Sequence, residues 1–233
     1  MPVNFNRKRI EKWKSKIFQI DDEFENFTLP NDSDKEGWVF SDTNLKNIVP
    51  KDINSDFTIA ITNVPLENNY YSRRIDNNLI IITFFQMKEI LENKNIPLEN
   101  IILRLIYGYC LVYLKYGNII PKTLSTQNFT HDETRGCLFD MNGIKNEVVY
   151  SCNNPKICSQ CIENLKNNRV SVDKIMVVQK EIRRIRKDLF YLILDVVKKH
   201  PIFSLLLSSF TAIILGAIGS IIASMLYETY IKK

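Results

Sequence analysis

The sequence predicts an α+β fold: a small sheet, a central buried helix and a four-cysteine zinc knuckle, followed by a long heptad helix and one C-terminal transmembrane helix. Three observations carry this expectation. Two short β-branched runs, "FTIAIT" (57–62) and "NLIIITF" (78–84), precede one long apolar stretch of helical character. Four of the five cysteines fall between Cys137 and Cys161. Pro201 to Tyr227 runs for 27 residues without a charge. With 233 residues, 45% of them hydrophobic, the chain has material for one compact domain with appendages and is not a disordered polymer.

Residues 1–50 read as an adaptor region, with a short amphipathic helix around 9–27 and then a polar loop through "LPNDSDKEGW". The opening "MPVNFNRKRIEKWKSKIF" is charged where a signal peptide would need an apolar stretch. A domain over 51–168 follows. Its two strands are bounded by polar turn residues, and the intervening "NVPLENNYYSRRIDN" is polar enough to read as a surface excursion. Within it Tyr70, Tyr71, Arg73 and Arg74 form a candidate recognition surface, because paired guanidinium groups beside aromatic rings can grip a carboxylate or phosphate. A solvated turn is the other reading.

Two helices come next. "QMKEILENKN" (86–95) places Met87, Ile90 and Leu91 on one face. "PLENIILRLIYGYCLVYLKYG" (97–117) has Pro97 suited to a first turn and Gly117 suited to a stop. Being apolar nearly all round, it predicts the central buried helix. Glu99, Arg104 and Lys115 interrupt it, so it does not read as a membrane span. Cys110 within it reads as a small buried hydrophobe.

The cysteine span comes after. Cys158 and Cys161 form a C-x2-C pair, the spacing with which two thiolates grip one tetrahedral ion from a tight turn. With Cys152 and Cys137 they make a four-thiolate zinc site the simplest reading, His131 being an alternative ligand to Cys152. Bound structural zinc would stabilise a lobe with few apolar residues. A redox pair is disfavoured, since no βαβ pattern surrounds the C-x2-C. The run "GCLFDMN" with the later C-x2-C resembles the zinc-knuckle end of the archaemetzincins, a group of zinc metallopeptidases. Cys137, Cys158 and Cys161 stand at matching cysteine positions. Asn142 stands where another family cysteine belongs, a place that Cys152 would fill.

The order strand, strand, long helix is also similar, and the likeness covers roughly residues 56–166. It implies a metzincin-like lobe with a structural zinc. The catalytic half does not carry over. No H-E-x-x-H occurs, the long helix holds no histidine, and Gly136 stands where the resemblance requires the third histidine. With two histidines in the chain, His131 and His200, a three-histidine catalytic zinc cannot be assembled. The resemblance therefore implies a pseudo-protease, and an enzyme is disfavoured. His131, Asp132, Glu133 and Arg135 would be the polar cluster of an atypical hydrolase; a helix cap or salt bridge explains the same composition.

From 169 to 200 the apolar residues Ile175, Val178, Ile182, Ile185, Leu189, Leu192 and Val196 step alternately by three and four, an a/d seam that predicts a basic amphipathic or coiled-coil helix. Residues 201–227 predict a transmembrane helix, since roughly 20 apolar residues cross a bilayer core. Small residues at Ala212, Gly216, Ser220 and Ser224 recur every fourth position, which favours close helix approach and a homo-oligomer. Eight Lys or Arg against three acids over 174–200 predict an inner-membrane, single-pass protein with its N-terminal domain in the cytoplasm.

That compartment is reducing, so the cysteines read as thiols or ligands rather than disulfides. The net charge of +5 is that of the 174–200 segment alone. The preceding residues are near neutral, which gives no footprint for nucleic acid and points the basic segment at anionic lipid. Three function classes follow. One is a membrane-anchored, zinc-stabilised binding or sensing module with a protein or peptide partner. Another is an oligomerising effector that perturbs the bilayer, and the third a hydrolase with atypical ligands.

Overall fold

The computed structural model describes residues 2–21, 24–51, 54–76, 78–123, 134–140 and 144–230. The chain divides into two compact units, Met1–Lys187 and Asp188–Lys233.

In the first unit both predicted strands are present, as β1 (Thr58–Thr62) and β3 (Leu79–Thr83), and they pair in parallel with Thr58 opposite Leu79 and Thr62 opposite Thr83. A third strand, β2 (Ser72–Arg74), pairs antiparallel on the far side of β3. The sheet order is thus β1-β3-β2. β3 is central and buried along its whole length, which is why it reads "LIIIT" without alternation. One face, through Ile59, Ile61, Ile80 and Ile82, packs with helix α4 (Glu99–Lys115); the other, through Ala60, Leu79 and Ile81, packs with Leu45 of α2 (Asp42–Ile48), Phe40 and Leu66.

α4 is the buried helix that the sequence predicts, with Glu99 to Val112 all inside. Cys110 behaves as the expected hydrophobe, its thiol pushed up to about 12 by burial. α3 (Met87–Glu92) buries Met87 and Leu91 as the periodicity requires.

Three features differ from expectation. The first helix is confined to α1 (Arg7–Glu11), and from Trp13 onward the chain bonds instead to distant elements. Trp13 Nε1 donates to the Tyr107 hydroxyl at 2.9 Å, that hydroxyl donates to Glu181 at 2.7 Å, and Glu181 also accepts from Ser15 Oγ and the Lys16 amide. Residues 1–50 are therefore part of the same unit as the sheet. The excursion between the strands contains β2, whose arginines enter the interior because Asp42 neutralises one of them. α2, capped by Ser41 Oγ accepting from the Asn44 amide at 3.1 Å, follows the polar loop in a part of the 1–50 region where the sequence predicts no helix.

After the sheet domain come α5 (Val148–Ser151), α6 (Ser159–Asn167) and α7 (Val172–Ile182). The single long heptad helix is corrected here: α7 ends at Ile182, and a new helix, α8 (Leu189–Lys199), starts only after a six-residue break. The first four seam residues, Ile175, Val178, Ile182 and Ile185, are buried in the unit's own core and cannot serve as a coiled-coil face. In the second unit, α8 is followed by α9 (Pro201–Tyr230). Its segment Pro201–Glu228 is long and apolar enough to cross a membrane, consistent with single-pass anchoring.

Candidate metal centre

Three short elements bring three sulfurs together. Cys137 sits on an isolated bridge to Lys156, with the Leu138 amide donating to Lys156 O at 2.7 Å and the Lys156 amide to Gly136 O at 2.9 Å. Gly136 takes φ +82°, and a Cβ there would meet Tyr150 O at 3.3 Å, so glycine is required for the chain to enter the bridge. Cys158 is the N-cap of α6, and its Sγ accepts from the Cys161 amide at 3.4 Å. Cys161 lies one turn inside. The C-x2-C spacing thus folds both thiols onto the N-terminal end of α6, where the helix dipole favours thiolate.

The Sγ atoms of Cys137, Cys158 and Cys161 all lie within 4.8 Å of one another. Cys137 and Cys161 are 3.8 Å apart. A disulfide needs about 2.05 Å, so this separation is not one. A tetrahedral ion with metal–sulfur bonds of about 2.3 Å has an edge of about 3.8 Å, which this pair matches. Packed against its neighbours as a thiol, Cys161 resists ionisation: its thiol is raised well above its ordinary value, first by its hydrogen bond with Cys137 and then by burial. A cation among them reverses that preference, because thiolates are then paired with positive charge. The residues present fit a structural metal ion. Among the described residues they supply three ligand atoms.

Cys152 is not in the cluster. It caps the C-terminal end of α5 against α4, fully buried; its carbonyl accepts from Asn100 Nδ2 at 2.8 Å and its thiol is pushed up to about 12 by burial, against the pull of Arg104. His131, the alternative ligand, lies outside the described residues together with Asp132, Glu133 and Asn142. Arg135 of the same polar stretch pairs with Glu147 at 2.9 Å and stacks on Tyr150.

In the sequence Arg104 reads only as an interruption of the apolar helix. It is 0% exposed, donates to Leu138 O at 3.3 Å and Asp140 O at 3.0 Å, and donates to the Tyr71 hydroxyl at 3.2 Å. Burial works against its charge, but Tyr71 and Cys152 outweigh it and raise the pKa. Arg104 therefore clamps the turn after Cys137 onto α4. A lone arginine amid "IILRLIY" was the available signal, since a charge on the inner face of a buried helix must be satisfied by something fixed.

Tyr70, Tyr71, Arg73 and Arg74 do not form one exposed patch. Arg73 is 1% exposed, its Nε donates to Asp42 at 2.8 Å, and its Nη2 makes a second, short bond to the same carboxylate, while its guanidinium lies over the Tyr70 ring. Burial lowers the Arg73 pKa, but the bonds and field of Asp42 prevail and raise it. Arg74 is buried beside Thr123, whose amide and hydroxyl bond its backbone. Tyr71 is buried against Arg104, and Tyr70 alone is exposed. The guanidinium of Arg73 is committed to Asp42.

A cleft of about 1620 Å³ opens beside β1, lined by Phe18, Ile20, Phe24 and Phe27 of the N-terminal strap and by Ile59 and Ile61. The Thr58 amide donates to Asn78 O and the Phe84 amide to Thr62 O. These bonds turn Thr58, Ala60 and Thr62 toward β3 and the main-chain groups of Ile59 and Ile61 away from it, on the edge of the sheet whose residues line the cleft. Those groups have no hydrogen-bond partner among the described residues. The far edge of the sheet differs, because Thr123 bonds Arg74 of β2 there. Compared with known protein families, curated proteins and solved structures, the chain matches none of them.

Proposed function

We propose that this chain is a binding module held at the cytoplasmic face of a membrane, with its cysteine knuckle closed by one structural zinc and its cleft open to an extended peptide. The observation that carries the reading is the β1 edge: alternate main-chain donors and acceptors, unpartnered among the described residues, lie beside a cleft of about 1620 Å³ with a mixed polar and apolar lining. A strand added to such an edge gains main-chain hydrogen bonds, and its alternate side chains meet Phe18, Phe24, Ile59 and Ile61. The archaemetzincin likeness is compatible with a peptidase-like lobe that holds a peptide without a catalytic ion. Zinc is favoured as the ion by three soft thiolates at a tetrahedral spacing. The cations at 174–200 favour the cytoplasmic orientation.

The test uses the full chain in nanodiscs, panned against displayed random linear peptides. The wild type enriches sequences that alternate apolar and polar residues. Ile59→Pro deletes one N–H on the open side while leaving Thr58 and Ala60 on the ladder to β3, a position where an edge strand tolerates proline. It weakens the enriched peptides at least about ten-fold, or about 1.4 kcal/mol. Absence of enrichment, or binding unchanged in a folded Ile59→Pro variant, would refute the reading.

A further inference from the structure

α8 has seven apolar residues among eleven, yet none of its residues is buried. Leu189 is 72% exposed, Phe190 68%, Ile193 55% and Val196 54%. At about 100° per residue, Tyr191, Asp195, Lys198 and Lys199 gather within an arc of about 100°, and all the apolar residues fall on the remaining side. A water-soluble helix does not display such a face. The question is what covers it.

The chain itself restricts the answer. One residue, His200, separates α8 from α9. Its φ of −131° and ψ of 63° end α8, and Pro201 opens the next helix, so α8 does not simply prolong the membrane helix. The Ser204 amide donates to His200 O at 3.0 Å, which makes His200 the cap of α9. With Pro201 at the water–lipid boundary, eleven residues at about 1.5 Å each keep the whole of α8 within about 17 Å of that boundary. Lys198 and Lys199 on the polar arc match anionic head groups.

We infer that α8 is an interfacial helix that lies in the plane of the membrane, with Leu189, Ile193 and Val196 among the acyl chains and Lys198 and Lys199 at anionic head groups. The outer half of the heptad seam, Leu189, Leu192 and Val196, is then a lipid-binding face, whereas the inner half belongs to the core of the first unit. This site is separate from the peptide cleft and stands or falls independently of it.

The test places one added indole on each side of the helix. Ile193→Trp and Asp195→Trp chains are reconstituted singly in nanodiscs of mixed zwitterionic and anionic phospholipid carrying brominated acyl chains. The fluorescence of the unsubstituted chain is subtracted. The signal added by Ile193→Trp is quenched at least about two-fold more than that added by Asp195→Trp, as burial of one face at the acyl boundary requires. Val196→Trp repeats the measurement should Ile193→Trp fail to fold. Equal quenching of the two faces would overturn the inference. So would a face that escapes quenching in discs holding one copy, since protein rather than lipid would then cover it.

Discussion

Replacing Cys161 with serine removes one corner of the sulfur triangle. The substitution sits in the first turn of α6, half-buried, where a serine is well tolerated by the backbone, so the loss falls on the metal rather than on the helix. A structural zinc bound with an apparent 10–16 kcal/mol, divided among four ligand positions, assigns about 3–4 kcal/mol to each, or roughly 10²–10³ in affinity. With free zinc about 1,000-fold above the wild-type Kd, the ion stabilises the folded unit by about 4 kcal/mol; after the substitution about 0.4–1.4 kcal/mol remains. The difference, about 3 kcal/mol, lowers the melting temperature of a unit of this size by about 6–12 °C. Thermal melts of the full chain in detergent, with and without chelator, paired with elemental analysis, measure both quantities. A Cys161→Ser chain that keeps one equivalent of metal, or a wild-type melt that chelation does not move, would refute the assignment.

Cys152→Ala leaves the metal stoichiometry unchanged and costs about 1 kcal/mol of stability, because that thiol is a packed hydrophobe outside the cluster; elemental analysis and urea melts report the two effects. Asp42→Ala leaves the Arg73 guanidinium buried without its carboxylate and destabilises by about 3 kcal/mol, read as a shift in the urea midpoint. Burial raises the Glu181 carboxyl, but bonds from Ser15, Tyr107 and the Lys16 amide prevail and depress it below its ordinary value. A depressed folded-state carboxyl contributes stability above its unfolded pKa and loses it as pH falls through the folded one. The urea midpoint therefore falls as the pH drops below the ordinary carboxylate range, and less steeply in Glu181→Gln. Gly136→Ala, strained at φ +82° and crowding Tyr150 O, weakens zinc binding about ten-fold by displacing Cys137, as measured by competition with a chromogenic chelator.

Periodicity and composition made some elements readable and left others hidden. β1, β3, α3, α4 and α9 announce themselves because each is marked by its own local run or period of apolar residues, and the C-x2-C turn announces itself because two ligands sit on one local element. β2 was hidden because "SRR" is polar on its own. It becomes interior only when Asp42, thirty-one residues away, supplies the opposite charge. The same holds for Arg104, whose acceptors are carbonyls of a distant turn. The heptad seam misled for a related reason. Its repeat is real, but the first four residues spend it on their own core, and repeat spacing alone does not say which partner fills the groove. Membership of the sulfur cluster was legible for Cys137, Cys158 and Cys161; proximity in sequence was a poor guide for Cys152, which faces α4.

Glu181 holds Ser15 and Lys16 from α7, a helix that is synthesised late in the first unit. Aromatic groups at Trp13 and Phe18 must wait, during translation, for a latch some 166 positions behind them. A shortened version that stops before this carboxylate would leave the ribosome with Ser15 and Lys16 unfastened, so residue 187 rather than 168 is the natural place to cut a fragment of the first unit.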